Sequence, residues 1–317
     1  MRYPNSDRNA VEGISLSIEP GEFVVLLGPS GCGKSSLLRT VNRMVDLTSG
    51  YVSVGDRDVQ SLDPTQLRRG IGYVIQAIGL FSHMTIAQNI AVVPTLLRWE
   101  RSRITTRIDE LLTLVGLDAS RYRDRYPRQL SGGEQQRVGV ARAIAAEPSV
   151  LLMDEPFGAV DAIVRATLQE AVLRIAHTLK TTILFVTHDV DEALRLADRI
   201  VVMKDGRVVQ YDTPLQILSR PAAVYVEQLL DTKDVIRQLS LLAVRDAMRP
   251  SFVPLPDASN TTETRPHSIS AVSATSSLRD SLNTFLSGEQ TLTVIEDGRS
   301  IGTLTFDDVR TALRKVI

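Results

Sequence analysis

An apolar run, Phe23 to Leu27, leads directly into Gly28-Pro-Ser-Gly-Cys-Gly-Lys-Ser35, and this junction constrains the fold more than any other stretch of the chain. A strand followed by GxxxxGK[ST] is suited to wrapping phosphate. Its glycines let successive backbone N–H groups curl toward anionic oxygens, the helix that follows presents its positive end, and Lys34 adds a mobile charge. Gly28, Pro29, Ser30, Gly31, Cys32, Gly33, Lys34, Ser35 and Ser36 are therefore expected to bind a nucleoside triphosphate, with the Ser35 hydroxyl on Mg²⁺. By itself the loop identifies an NTPase and nothing narrower.

Short apolar runs recur at Val150 to Met153, Ile183 to Val186 and Ile200 to Met203, each bounded by polar or turn residues, and read as strands buried on both faces of a parallel sheet. Helix-period stretches lie between them: Ser35 to Arg43, Arg103 to Val115, Gly132 to Ala145, Val164 to Thr178 and Val190 to Ala197. This alternation predicts an α/β fold. Asp205-Gly206 and Gly55-Asp56, each between two apolar arms, are hairpin signals. With 317 residues, 43% apolar and 23% charged, the chain can build one large domain and a smaller one.

Lys and Arg number 36 against 37 Asp and Glu, which gives no global basic footprint, so nucleic acid is not an expected partner. A single cysteine, Cys32, rules out an intrachain disulfide and reads as a small loop filler. No apolar run approaches the roughly 20 residues that a membrane-spanning helix needs, and the N-terminus has no charged-then-apolar signal pattern. A cytosolic chain is expected, its membrane role coming through a partner.

Three further segments carry chemistry. Val150-Leu-Leu-Met-Asp154-Glu155 is a strand ending in two carboxylates, an arrangement that places Asp154 in the metal shell and Glu155 beside the attacking water as general base. In Leu130-Ser-Gly-Gly-Glu-Gln-Gln-Arg137, Ser131 and Glu134 satisfy a capping box at the start of a helix. Capping needs no Gly132-Gly133, and two glycines in a first turn cost roughly 1 kcal/mol each relative to Ala, so close approach of an anion is the second, compatible reading. His188 ends the apolar run Thr182 to Thr187, whereas His83, His177 and His267 match no motif position.

In order and spacing, Gly28 to Ser35, Gln76, Leu130 to Gln135, Val150 to Glu155, Gly158-Ala-Val-Asp161 and His188 resemble the ATP-binding subunits of ABC transporters, over roughly residues 1 to 215. The resemblance implies a P-loop NTPase domain of that type, with a parallel-sheet core, an antiparallel β subdomain and a helical subdomain. It also implies ATP and Mg²⁺ as cofactors, and a second copy of the chain facing the first head to tail. ATP is then sandwiched between one copy's phosphate loop and the other's Ser131, Gly132, Gly133 and Gln135, with Ser131 and Gly133 on the γ-phosphate. On the same basis Gln76 senses Mg²⁺ and the membrane subunit, Asp161 communicates across the dimer, and His188 contacts the γ-phosphate. Tyr3 matches the aromatic on which adenine stacks. The family begins earlier, with a strand that supports this aromatic, so the first strand is expected to be missing or truncated; a frayed terminus is the other reading of Tyr3.

Arg69 to Asn89 and Asp154-Glu-Pro-Phe-Gly158 look like the ATPases of glycine betaine, choline, carnitine and proline importers. That likeness implies a membrane permease and an extracytoplasmic solute-binding protein as partners, and a peripheral position on the cytoplasmic face of the inner membrane. An importer of another solute, such as an amino acid, is the alternative. Beyond an ATP-binding domain expected over 1–235, residues 236–317 read as a linker, Pro250 to Ser268, followed by a small α+β domain. Val244 to Met248, Ile269 to Val272, Ser277 to Leu286, Leu292 to Asp297 and Gly302 to Asp308 resemble one CBS motif, with Thr305 and Asp308 where adenosine ribose is often held. The tail is then a sensor of an adenine nucleotide or of ionic strength, or a structural extension without ligand.

Overall fold

Phe23–Leu27 (β1), five residues buried without exception, lies inside the main sheet of the structure, a computed structural model that describes residues 1–3, 7–76, 79–158, 160–250 and 270–316. A strand with no solvent face has no reason to alternate, which explains its unbroken Phe-Val-Val-Leu-Leu. The loop after Leu27 leads into Lys34–Val41 (α1); Ser53–Val54 (β2), Arg57–Asp58 (β3), Pro64–Gly70 (α2) and Ile71–Val74 (β4) follow. Four helices come next, Ile86–Leu96 (α3), Arg101–Leu114 (α4), Ala119–Tyr122 (α5) and Gly132–Ile144 (α6). The chain then returns to the sheet through Val150–Asp154 (β5), Ala162–Leu179 (α7), Thr182–Thr187 (β6), Val190–Leu196 (α8), Arg199–Lys204 (β7) and Arg207–Asp212 (β8).

The strands assemble in the order β4-β5-β6-β1-β7-β8, parallel throughout except for the hairpin partner β8. This is the expected α/β core. Its register places Leu27 opposite Thr187, and Asp154 opposite Val186, so the C-terminal ends of β1, β5 and β6 share one edge. Loops at that edge are where an open parallel sheet binds its ligands. The antiparallel β subdomain is smaller than expected: among the described residues it is the two-residue ladder of β2 and β3. Ile14, Leu16 and Ile18 alternate onto the core cluster around Leu26 and Leu38 but belong to no described strand, and the Ser17 carbonyl accepts from the Tyr211 hydroxyl instead.

Met1–Thr213 forms the first compact unit and Pro214–Ile317 the second, so the division falls ahead of the expected 235/236 boundary. The second unit contains Pro214–Ser219 (α9), Val224–Leu230 (α10), Val235–Leu241 (α11), Val244–Ala247 (α12), Arg249–Pro250 (β9), Ala271–Ser273 (β10), Leu278–Leu286 (α13), Thr291–Glu296 (β11), Arg299–Thr305 (β12) and Phe306–Val316 (α14). The boundary moves because Leu215, on α9, packs against the cluster of Leu239, Leu242, Leu278, Leu292 and Leu304, which is the core of this unit. The sheet order is β10-β11-β12-β9, and the β11–β12 hairpin turns at Asp297-Gly298, both at positive φ as a tight hairpin turn requires. The tail thus contains both helices and strands, as an α+β domain requires, whereas residues 251–268 of the expected linker, which include His267, and Ile269 lie outside the described residues.

Candidate functional site

The phosphate loop is shaped by close backbone approach. A Cβ on Gly28 would collide with the Met203 carbonyl oxygen, and one on Gly33, which sits at φ 107, would collide with that of Ala10. The Gly206 N–H donates to the Cys32 carbonyl at 3.0 Å, tying the loop to the β7–β8 turn. Gly33 occupies the N-cap of α1 and has no side chain to offer, and the first turn, Lys34-Ser35-Ser36, contains no acid. The N-terminal N–H groups of this helix are thus left to an external anion. Helices α2, α3, α6, α7 and α8 are instead capped by Asp63, Thr85, Ser131, Asp161 and Asp189. Lys34 is buried, with its ammonium donating to the carbonyls of Gly28 at 2.6 Å and Pro29 at 3.0 Å. Burial pushes the Cys32 thiol up while the Lys34 charge pulls it down; the net shift is upward, as suits an unreactive filler.

The ends of β5 and β6 add the carboxylates and the histidine. Ser35 Oγ donates to Asp154 Oδ1 at 2.8 Å. Burial raises the Asp154 carboxyl above its ordinary range, against the opposing pull of that hydrogen bond and of the Arg39 charge. Glu155 sits at φ 45, a left-handed conformation unusual for a non-glycine residue, and its N–H donates to the Val186 carbonyl at 3.0 Å. Its side chain is held from both sides: Gln76 Nε2 donates to Oε2 at 3.3 Å, and His188 Nδ1 lies 3.2 Å from Oε1. The His188 ring is otherwise open, with 63% of the side chain exposed. The structure thus brings Ser35, Gln76, Asp154, Glu155 and His188 into one cluster beside the phosphate loop.

The remaining expected residues lie at helix starts and at the chain's beginning. Ser131 Oγ accepts from the Glu134 N–H at 3.3 Å while Glu134 Oε2 accepts from the Ser131 N–H at 2.7 Å, so the capping box is formed. Tyr122 Oη donates to Glu134 Oε1 at 2.6 Å and, with the Ser131 bonds, holds that carboxyl below its ordinary range. Gln135 Nε2 donates to the Leu130 carbonyl at 3.1 Å. A Cβ on Gly132 would meet nothing within 4 Å. Among the described residues no hydrogen bond joins Ser131, Gly132, Gly133 or Gln135 to the phosphate loop of the same chain. Asp161 caps α7 through a 3.1 Å bond from the Val164 N–H. Tyr3 is not frayed: its hydroxyl lies 3.1 Å from Ser36 Oγ, and the Met1 carbonyl accepts from the N–H groups of Ala10 and Val11.

Three residues near the cluster escaped the sequence reading. Arg39 stands one helical turn after Ser35 and acts on both Asp154 and Tyr73; its i, i+4 spacing on the loop's own helix was the available signal. Thr187 and Glu192 flank His188 and share a 2.7 Å hydrogen bond. A helix start at Asp189, with an acid three residues on, was the signal there.

Residues 11–158 match the family model described as ABC transporter. The chain is 47% identical over 305 residues to the glycine betaine uptake system ATP-binding protein of Escherichia coli (strain K12), covering 95% of this chain and 94% of that protein. It is 52% identical over 223 residues to a carnitine transport ATP-binding protein of Listeria monocytogenes (serotype 1/2a, strain 10403S), covering 70% of this chain but 56% of that longer protein. Among solved structures, a dimeric ATP-binding cassette in a post-hydrolysis state, bound to ADP and Pi, superimposes with a TM-score of 0.62 at 30% identity, covering 67% of this chain and 94% of that one. With a phosphate loop, paired carboxylates and a capped glycine pair at the expected places, and with a relative matched along nearly its whole length, the chain belongs to the ABC transporter family as an ATP-binding protein.

Proposed function

We propose that this chain hydrolyses ATP to power import of a quaternary amine or related osmoprotectant, of the glycine betaine, choline, carnitine or proline type, through a membrane permease. The observation that carries the solute class is the match along 95% of the chain to a protein named for glycine betaine uptake. The hydrolytic half rests on the Glu155 carboxylate, poised between Gln76 and His188 beside the uncapped start of α1.

In this reading the backbone N–H groups of the loop and of α1 hold the triphosphate, and Lys34 exchanges the Gly28 and Pro29 carbonyls for phosphate oxygens. Ser35 and Asp154 offer a hydroxyl and a carboxylate already 2.8 Å apart, a hard oxygen pair that suits Mg²⁺, with Gln76 nearby. The ion, when bound, neutralises charge on the phosphates. Glu155 accepts the proton of the attacking water, and its contacts with Gln76 and His188 fix the carboxylate for that transfer. Ser131, Gly132, Gly133 and Gln135 serve the nucleotide of a second copy, and Asp161 lies at the border between the copies. A permease and an extracytoplasmic solute-binding protein complete the assembly, with the chain on the cytoplasmic face of the membrane. Among the described residues, no helix is long and apolar enough to cross a membrane.

For the tail, the hydrogen bonding favours a structural extension over a ribose site. Asp308 is buried, its Oδ2 accepts from the Thr305 N–H at 3.0 Å and the Thr305 hydroxyl at 2.6 Å, and its Oδ1 accepts from Arg249 Nε at 2.7 Å. Both oxygens that would hold a ribose already serve the start of α14 and an ion pair.

The test is transport. Reconstituted in vesicles with its permease, the chain is expected to drive ATP-dependent uptake of labelled glycine betaine or choline. Glu155→Gln is expected to lower turnover on the order of 10²- to 10⁴-fold, with ATP still bound. Uptake of an amino acid and of none of the quaternary amines would overturn the solute class, and undiminished turnover in Glu155→Gln would overturn the assigned base.

A further inference from the structure

Glu192, on α8, is a buried carboxylate that hydrolysis does not use. Both its oxygens are taken: Oε2 accepts from Thr187 Oγ1 at 2.7 Å, and Oε1 accepts from Gln169 Nε2 at 3.2 Å. Gln169, on α7, accepts in turn from Arg195 Nη1 at 3.3 Å through its own Oε1. Thr187 and Gln169 are also buried, at 3% and 5% exposed. Burial pushes the Glu192 carboxyl up, and the Thr187 bond opposes it. An apolar trio of similar volume would fill this space without the desolvation that a buried polar chain incurs. Packing alone therefore does not account for these three residue types.

The Thr187 hydroxyl supplies the reason. While donating to Glu192, it accepts from the Asp189 N–H at 3.0 Å, so a single oxygen closes the turn on either side of His188. Asp189 is fixed as well, because its Oδ1 accepts from the N–H groups of Asp191 and Glu192, and its Oδ2 lies 3.8 Å from Arg165 Nη1. The His188 side chain is largely exposed, and its Nδ1 meets Glu155 Oε1 at 3.2 Å. Its direction is set by the backbone turn, and that turn is set by a hydroxyl that Glu192 holds in place.

We infer that Glu192, braced by Gln169, is a positioning residue for His188: it locks the Thr187 hydroxyl and thereby the turn that aims the imidazole at Glu155. The same link joins this turn to α7, the helix headed by Asp161. The inference rests on the placement of His188 in the hydrolytic site, and the two claims separate experimentally.

Turnover, ATP affinity and melting temperature are measured on the full-length chain carrying Glu192→Gln, Thr187→Val, Thr187→Ser or His188→Ala. Glu192→Gln sets an amide donor against the Gln169 amide and breaks one bond of the chain. It is expected to lower kcat on the order of 10- to 100-fold, as misplacement of a reacting group does, with ATP affinity retained. Thr187→Val should reproduce the loss and Thr187→Ser should rescue it. The chain has four histidines, so the His188 ring resonance can be assigned by its disappearance in His188→Ala, and it should shift in Glu192→Gln and Thr187→Val but not in Thr187→Ser. Wild-type turnover in Glu192→Gln, an unmoved His188 resonance, or equal losses in Thr187→Ser and Thr187→Val would each overturn the inference. If Glu192→Gln does not fold, the Thr187 pair decides alone. Full turnover in His188→Ala would instead overturn the placement of His188 on which the inference rests.

Discussion

Gly33 and Gly132 both stand where a helix begins, and the fold treats them in opposite ways. At Gly33 a side chain is excluded by φ 107 and by the Ala10 carbonyl, so the chain's own geometry demands glycine. At Gly132 a Cβ would enter open space on a helical backbone, so nothing in the chain itself demands one. Alanine in a helix is favoured over glycine by up to about 1 kcal/mol. Gly132→Ala is therefore expected to leave the melting temperature unchanged or raise it, yet, on the proposed reading that a partner's nucleotide approaches there, to lower ATP turnover; full turnover would remove the need for that approach. The phosphate-loop residues were legible because GxxxxGK[ST] fixes backbone, charge and hydroxyl together. Thr187 and Glu192 were legible only as far as the helix start at Asp189 with its acid three residues on, because the buried hydrogen bond between residues five apart leaves no mark of its own in composition or apolar period. The left-handed backbone of Glu155 was equally invisible, since only glycine advertises positive φ in a sequence.

Among the elements, α6 shows how a cap can be read twice. Its box of Ser131 and Glu134 was legible from spacing, and the structure adds Tyr122 as the third member. The Tyr122 bond holds the Glu134 carboxyl below its ordinary value, so its contribution to stability is full above the ordinary glutamate range and is lost as pH falls through the depressed value. Tyr122→Phe is expected to cost about 1 kcal/mol at neutral pH, and the gap from wild type to close on acidification below about pH 4, as thermal melts at both pH values would record. A gap that stays constant with pH would show that Glu134 is not the partner that matters. Strand β4 and helix α3 were not read from the sequence, for physical reasons. Gly72 interrupts the apolar run of β4, yet a Cβ there would strike the Ala143 carbonyl, so glycine is what lets α6 lie against the strand. Pro94 sits inside α3, where proline ordinarily argues against a helix.

At the scale of the whole molecule, the parallel core was legible because strands buried on both faces stand out as unbroken apolar runs. The unit boundary was not, since the apolar stripe of α9 marks a buried face without naming the core that buries it, and Leu215 turns out to serve the second unit. On the proposed reading, the nucleotide site of one chain is half a site. One chain carries an uncapped α1 and the cluster around Glu155, while its Ser131 to Gln135 turn makes no hydrogen bond to its own loop among the described residues. The central claim is that a second copy, related by two-fold symmetry, completes the site. The most direct test mixes two inactive chains, Lys34→Ala, which lacks a working loop, and Ser131→Arg, which lacks a working Ser131 to Gln135 turn. Each homodimer has no intact site, but the mixed dimer has one, so an equimolar mixture is expected to recover about a quarter of wild-type ATP turnover if the sites act independently. A mixture no more active than its two components would contradict the shared site.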